Sequence, residues 1–221
     1  MKESLKQLLR QQFPVPLAYF RAVRGTLFYP DSMLRRSGWM ASLQAGHPRT
    51  EDGRIIPWMN YAIIALLDER LRSDMRLFEY GSGYSTLYYA DRVASVLSVE
   101  YDSAWFEDIS RRVPSNAHIL LRPQDVDGTY CRTITERPDA RYDLIVVDGR
   151  DRVNCVIQSL PHLSDRGVLL LDDSERPRYQ PAMDHAASMG FKRLDFNGIK
   201  PAGFDMVRTT LFYRADNCLG I

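Results

Sequence analysis

Cysteine is scarce in this chain of 221 residues: Cys131, Cys155 and Cys218 stand far apart, and no C-x-x-C pair occurs. An odd, scattered set supports neither a disulfide framework nor a zinc knuckle, so a reducing, cytoplasmic setting is expected. Net charge is nearly absent, since 29 Lys and Arg face 28 Asp and Glu. That balance argues against a globally electrostatic nucleic-acid binder. No apolar run approaches the ~18 residues that span a bilayer. The start, MKESLKQLLRQQFPVPLAYF, scatters charges and places two prolines in its apolar stretch, which makes a poor secretory signal. Internal repeats and low-complexity tracts are also lacking. With 45% hydrophobic and 26% charged residues, the chain reads as one globular domain with an elaboration, large enough to bury a core without staples.

Charge is unevenly spread. Seven basic residues and two acids in the first 40 make that segment +5, leaving −4 for the rest. Leu5, Leu8, Leu9 and Phe13 recur at helical spacing, so a short basic amphipathic helix is expected. It suits packing on the main domain; contact with a membrane surface or a partner, including a second copy in a homodimer, is the other reading. Residues 38–58 lack periodicity and are rich in Gly, Pro and polar residues, which predicts a long functional loop. A helix should follow from Met59 to Arg72. We place a domain boundary here, with an N-terminal extension over residues 1–56 and the main domain over 57–221.

From there the pattern alternates. Strands are expected at Arg76–Tyr80, Ser95–Glu100, His118–Arg122, Tyr142–Asp148 and Gly167–Asp172. Helices are expected near Thr86–Arg92, Ser103–Val113, Val153–Leu160 and Gln180–Met189. DLIVVD and GVLLLD are continuous apolar runs, as in strands covered on both faces. The alternation predicts an α/β, doubly wound parallel sheet. After Gly190, FKRLDFNG and RTTLFYR have only a loop between them and should pair antiparallel.

The most informative stretch is LFEYGSGYSTLYYADRVASVLSVE, residues 77–100. A strand ends at Glu79-Tyr80, the turn Gly81-Ser82-Gly83 follows, and a helix begins near Ser85. Glycines there let the backbone approach a ligand, and a helix start offers free N–H groups. Glu100 closes the next strand, where an acid can accept hydrogen bonds from ribose hydroxyls. A dinucleotide fingerprint would carry a third glycine where this chain has Thr86. Glu79 before the turn disfavours a pyrophosphate and suits an ammonium. A ligand with a ribose and a cationic amino-acid part, such as S-adenosylmethionine, fits these residues.

Glu79-Tyr80-Gly81-Ser82-Gly83, Glu100 and the two-strand tail resemble the class I S-adenosylmethionine-dependent methyltransferases, over roughly Pro57 to Arg214. The resemblance implies a seven-stranded sheet of order 3-2-1-4-5-7-6 with only the last strand antiparallel. It implies that the turn and Ser85 bound the methionine part, that Glu100 holds the ribose, and that Tyr101 and Asp102 flank the adenine. Asp125 in LRPQDVDG would contact the adenine amine, with Asp127 equally near.

Asp148 ends the fourth strand and Asp172-Asp173 end the fifth, so three carboxylates should converge at the carboxyl edge of the sheet. Crowded carboxylates share protons or hold a hard cation such as Mg²⁺. This spacing is similar to metal-dependent O-methyltransferases of the sugar-modifying and catechol types, with Asp-Asp at the second site closer to the former. In that reading the metal would lower the pKa of an acceptor hydroxyl and align it with the methyl group. Asp148 would then be catalytic as well as a cofactor and metal ligand. In the plainer reading Asp148 contacts only the cofactor's amino group, Asp172 caps a helix and Asp173 pairs with Arg176 or Arg178.

His47, in the loop before the glycine turn, is the candidate general base among the histidines. Arg150, Asp151 and Arg152 are placed to touch substrate or to start a helix. Trp39, Trp58 and Tyr84 could line an acceptor pocket by stacking on rings, whereas Tyr88 and Tyr89 suit ordinary packing. The expected activity is methylation of a hydroxyl on a sugar, glycan or other small polar acceptor. Nucleic acid is disfavoured because Asp148-Gly149-Arg150-Asp151 replaces the Asn/Asp-Pro-Pro-Tyr/Phe type of motif. A nicotinamide-dependent oxidoreductase and a non-catalytic docking protein of the same fold are the alternatives.

Overall fold

The computed structural model describes residues 14–221, so the helix expected on Leu5, Leu8, Leu9 and Phe13 lies outside the described residues. Three helices come first: α1 Pro14–Phe28, α2 Met33–Arg36 and α3 Trp39–Ala45. Then α4 Tyr61–Arg70 leads into β1 Arg76–Tyr80, α5 Tyr84–Ala90, β2 Ser95–Glu100, α6 Ser103–Ser110 and β3 Ala117–Leu121. The second half continues through α7 Thr129–Arg132, β4 Tyr142–Val147, α8 Arg152–Ser159, β5 Leu163–Leu171 and α9 Gln180–Ser188. It ends in the pair β6 Lys192–Ile199 and β7 Met206–Tyr213. The seven strands form one sheet of order β3-β2-β1-β4-β5-β7-β6. Strands β1 to β5 pair in parallel, and β7 runs antiparallel to both β5 and β6.

Side chains alternate across a strand, so the apolar run in β4 serves two cores. Ile145 and Val147 point to a cluster with Phe78, Tyr80, Leu169 and Leu171, closed by α8 and α9 through Val156, Met183 and Ala186. Leu144 and Val146 point to the opposite cluster with Leu77, Val168 and Leu170, closed by Ile63 and Leu67 of α4 and by Tyr88 and Tyr89 of α5. Coverage on both faces accounts for the unbroken DLIVV and GVLLL runs. Among the described residues no helix is long and apolar enough to cross a membrane.

Residues 38–58 depart from the expected loop by holding α3 and a short turn closed by an Arg49–Ile55 bridge. The order comes from burial rather than from periodicity. Trp39 is buried, and its Nε1 donates to Gly203 O at 2.7 Å, across to the β6–β7 turn. Ser42, also buried, accepts from Arg49 N at 2.9 Å and so ties the helix to the turn that follows it.

Candidate active site

The glycine turn sits at the carboxyl end of β1, beside β4 in the centre of the sheet. Gly81 has φ +92°, and a Cβ there would lie 2.9 Å from Asp148 O, so only glycine permits this approach of β1 to β4. The two strand ends therefore open into one cavity of about 430 Å³, within the size range of small-molecule sites. Gly81, Ser82, Gly83, Tyr84 and Ser85 form one wall, Glu100, Tyr101, Asp102 and Trp105 a second, and Asp148, Gly149, Arg150 and Arg152 a third, with Trp58 at the rim.

Glu100 organises the second wall. One carboxylate oxygen accepts from Ser82 N at 3.0 Å and Ser82 Oγ at 3.1 Å. The other accepts from Tyr101 N at 2.8 Å and Asp102 N at 2.9 Å. Three backbone donors fix the carboxylate, and the serine hydroxyl can rotate away to leave an acceptor position for a ligand hydroxyl. Asp102 caps α6 by accepting from Trp105 N, and Trp105 Nε1 donates to Ser82 O at 2.8 Å. The indole thus lies against Gly83, ready to stack on a flat ligand.

Glu79, Tyr80 and Asp125 do not line this cavity. Glu79 is completely buried, with Ser85 Oγ, Thr86 Oγ1 and Ser98 Oγ donating to it at 2.5, 2.6 and 2.5 Å. Burial pushes its carboxyl up to about 7 in spite of those three hydroxyls. It fixes the start of α5 against β2 from beneath the turn. Tyr80 is a core residue whose hydroxyl donates to Cys131 O at 2.6 Å. The Asp125 carboxylate is turned back on its own loop, where it accepts from Thr129 N and Tyr130 N at 2.7 and 3.0 Å. His47 reaches the cavity only through Tyr84, on whose ring it stacks at 5.1 Å between centroids.

Asp148, Asp172 and Asp173 do converge, with one oxygen of each within 4.8 Å of the others. The cluster holds cations of its own. Lys200 Nζ, from the β6–β7 turn, lies 2.6 Å from Asp172 Oδ2 and 2.6 Å from Asp173 Oδ1. Arg152 donates to Asp148 Oδ1 at 2.8 Å, Arg176 to Asp173 Oδ2 at 2.7 Å, and Thr209 Oγ1 to Asp172 Oδ1 at 2.6 Å. Three carboxylates thus meet three cationic side chains. Burial, then the neighbouring Asp172, push the half-buried Asp148 up to about 7 against the pull of Arg152 and Lys200. Burial also acts upward on Asp173, but Lys200, Arg152 and Arg176 outweigh it and hold that carboxyl low.

Two contributors had no sequence signal strong enough to find them. Trp105 is an aromatic inside an ordinary amphipathic helix, legible only as the residue that Asp102 caps. Lys200 follows a strand in a turn, and only the antiparallel return of β7 carries it over the acids.

No family model matches the chain, and no curated protein matches it. Solved structures do. The O-methyltransferase TomG from Streptomyces achromogenes, involved in tomaymycin synthesis and solved with S-adenosylmethionine, superposes with a TM-score of 0.54 at 16% identity, over 89% of this chain and 94% of that one. A putative O-methyltransferase from Klebsiella pneumoniae gives 0.54 at 16% identity, over 93% and 98%. The spermidine synthase of Thermotoga maritima gives 0.50 at 15%, over 69% of this chain and 57% of that one. At these identities the likeness establishes the fold, that of the class I S-adenosylmethionine-dependent methyltransferases, and the sheet order found here is the one that fold implies.

Proposed function

We propose that the chain is an S-adenosylmethionine-dependent methyltransferase that acts on a hydroxyl of a small polar acceptor, such as a sugar. The observation that carries this reading is the single cavity that joins the glycine turn, the pinned Glu100 carboxylate and Asp148. The residues fit the cofactor: a carboxylate with an exchangeable partner for ribose hydroxyls, an indole for a flat base, and a second carboxylate for a cationic group. The fold supports the reading, since two of the structures like it are described as O-methyltransferases.

When bound, S-adenosylmethionine supplies a methyl group activated by its sulfonium. The chain's own residues hold the two reactants in line, which removes much of the entropic barrier. Asp148 is the proton acceptor in this reading, because it lines the cavity and its carboxyl is poised near 7. The acceptor hydroxyl would give its proton to the Asp148 carboxylate as its oxygen takes up the methyl group. We assign His47 to the rim, where it props Tyr84. Residues 14–56 serve as a cover docked on the 57–221 domain through Trp39.

A divalent cation does not fit the acids as they are arranged. The oxygen donors suit Mg²⁺ in kind, but Lys200 stands between Asp172 and Asp173, so a dication can enter only if that ammonium leaves. The test of the whole reading is calorimetric titration with S-adenosylhomocysteine, with NAD as the parallel ligand. Micromolar binding of the first alone is expected. Binding of NAD alone would make the oxidoreductase alternative the better one, and binding of neither would favour a docking protein.

A further inference from the structure

A second cavity, of about 310 Å³, opens on the far side of the Gly149–Arg152 segment. Gly149, Arg150 and Arg152 border both cavities, so the two are neighbours across one stretch of backbone. The second is lined by four arginines, Arg150, Arg152, Arg176 and Arg178, with Tyr179 and one acid, Asp151.

The four guanidinium groups are not equivalent. Arg152 and Arg176 are committed to Asp148 and Asp173 at 2.8 and 2.7 Å. Arg150 and Arg178 have no carboxylate partner among the described residues. Each is instead held by a tyrosine. Arg150 donates to Tyr101 Oη at 2.7 Å with its guanidinium 5.0 Å from that ring's centroid. Arg178 donates to Tyr179 Oη at 3.1 Å and lies 5.0 Å from that ring's centroid. A tyrosine that accepts one N–H orients the planar fork and leaves the remaining donors free. Asp151 forms no ion pair with either of them; its carboxylate is turned to Asn154 Nδ2 at 2.9 Å and Asp127 N at 2.8 Å.

From this geometry we infer that the second cavity is an anion site, and that the methyl acceptor is a phosphate-bearing small molecule whose phosphoryl group is held by Arg150 and Arg178. Two guanidiniums without an ion-pair partner each offer a planar fork of donors, which suits the three acceptor oxygens of a phosphate monoester better than the two of a carboxylate. Arg150 joins the two sites, so a phosphate bound there leaves the rest of the acceptor beside Asp148. The inference deepens the methyltransferase reading and rests on it for the identity of the reaction, but not for the anion site.

The experiment is calorimetric titration at low salt of the full chain and of its Arg178→Gln and Arg178→Lys variants, with inorganic pyrophosphate, with glucuronate and, separately, with S-adenosylhomocysteine. Arg178 is exposed and borders only the second cavity, so the variants should fold and keep their affinity for S-adenosylhomocysteine. Pyrophosphate should bind the wild-type chain saturably, about tenfold more weakly to Arg178→Gln, and with intermediate strength to Arg178→Lys. Equal affinity for all three proteins, or no saturable binding to the wild type, would overturn the anion site. Glucuronate binding as tight as pyrophosphate would overturn the assignment to phosphate. Failure of S-adenosylhomocysteine to bind, with the pyrophosphate series intact, would instead remove the methyltransferase reading and leave the anion site standing.

Discussion

Glu79 and Glu100 end neighbouring strands, yet their surroundings give them opposite duties. Glu100 borders the cavity, and its carboxylate is satisfied largely by backbone N–H groups. Replacing it with alanine leaves those donors unmet and takes away the acceptor for a ribose. Glu100→Ala should therefore weaken S-adenosylhomocysteine binding by about 1–3 kcal/mol, read by calorimetry; unchanged affinity would remove the ribose assignment. Glu79 is sealed beneath the turn, where burial raises its carboxyl from an ordinary 4.5 to about 7. The folded chain thus keeps a proton that the unfolded chain releases near 4.5. That stabilisation is complete below 4.5 and is lost as pH rises through about 7. The melting temperature of the ligand-free protein should fall between pH 5 and pH 8, and Glu79→Gln should flatten the decline. Asp148, raised in the same direction, would supply the slope that remains. An equally steep decline in the variant would show that Glu79 titrates normally.

Among the elements, the turn between β6 and β7 does more than close a hairpin. It carries Lys200 over the acids, and it is gripped from outside by α3, where Trp39 donates to Gly203 O and packs edge-on against Phe204 at 5.3 Å. That indole, like the His47 ring stacked on Tyr84, ties the N-terminal segment to the carboxyl edge of the sheet. Trp39→Ala should cost about 3–5 kcal/mol, as for other large buried aromatics. Faster hydrogen exchange should be confined to α3 and residues 200–205. Unaltered exchange in that turn would mean that α3 merely rests on it.

For the whole molecule, the decisive feature is a charge balance made from three segments distant in the chain, residues 148–152, 172–176 and Lys200. Asp148 comes from the end of β4, Asp172 and Asp173 from the end of β5, Arg152 from α8, and Lys200 from the β6–β7 turn. Removing one partner of such a buried set leaves a carboxylate uncompensated, at a cost of about 3–5 kcal/mol. Lys200→Ala should lose stability on that scale and acquire an affinity for Mn²⁺ that the wild type lacks, with Mn²⁺ restoring part of the melting temperature. Paramagnetic resonance of titrated Mn²⁺ reads the binding directly. Equal binding by both proteins would show that the acids hold a metal with Lys200 in place, and would reopen a metal-assisted step.

The sequence by itself determined the sheet. Periodic burial and unbroken apolar runs are local consequences of strand geometry, so β1, β2 and β4 were legible to within a residue, while α6 ends three residues before the expected Val113, the short α7 carried no periodic signal, and the strand order followed from the resemblance. It also determined that the glycine turn, Glu100 and Asp148 share one edge, because parallel strands deliver their carboxyl ends to the same side. Only the tertiary structure decided which side chains face the cavity. Glu79 and Asp125 are carboxylates at suggestive positions, but nearby hydroxyls and backbone N–H groups claim them, and such claims depend on angles that sequence spacing does not encode. Trp105 and Lys200 joined the site for the converse reason. Ser82 and Asp172, their partners, lie 23 and 28 residues away in the chain, and electrostatics and packing act on distance in space.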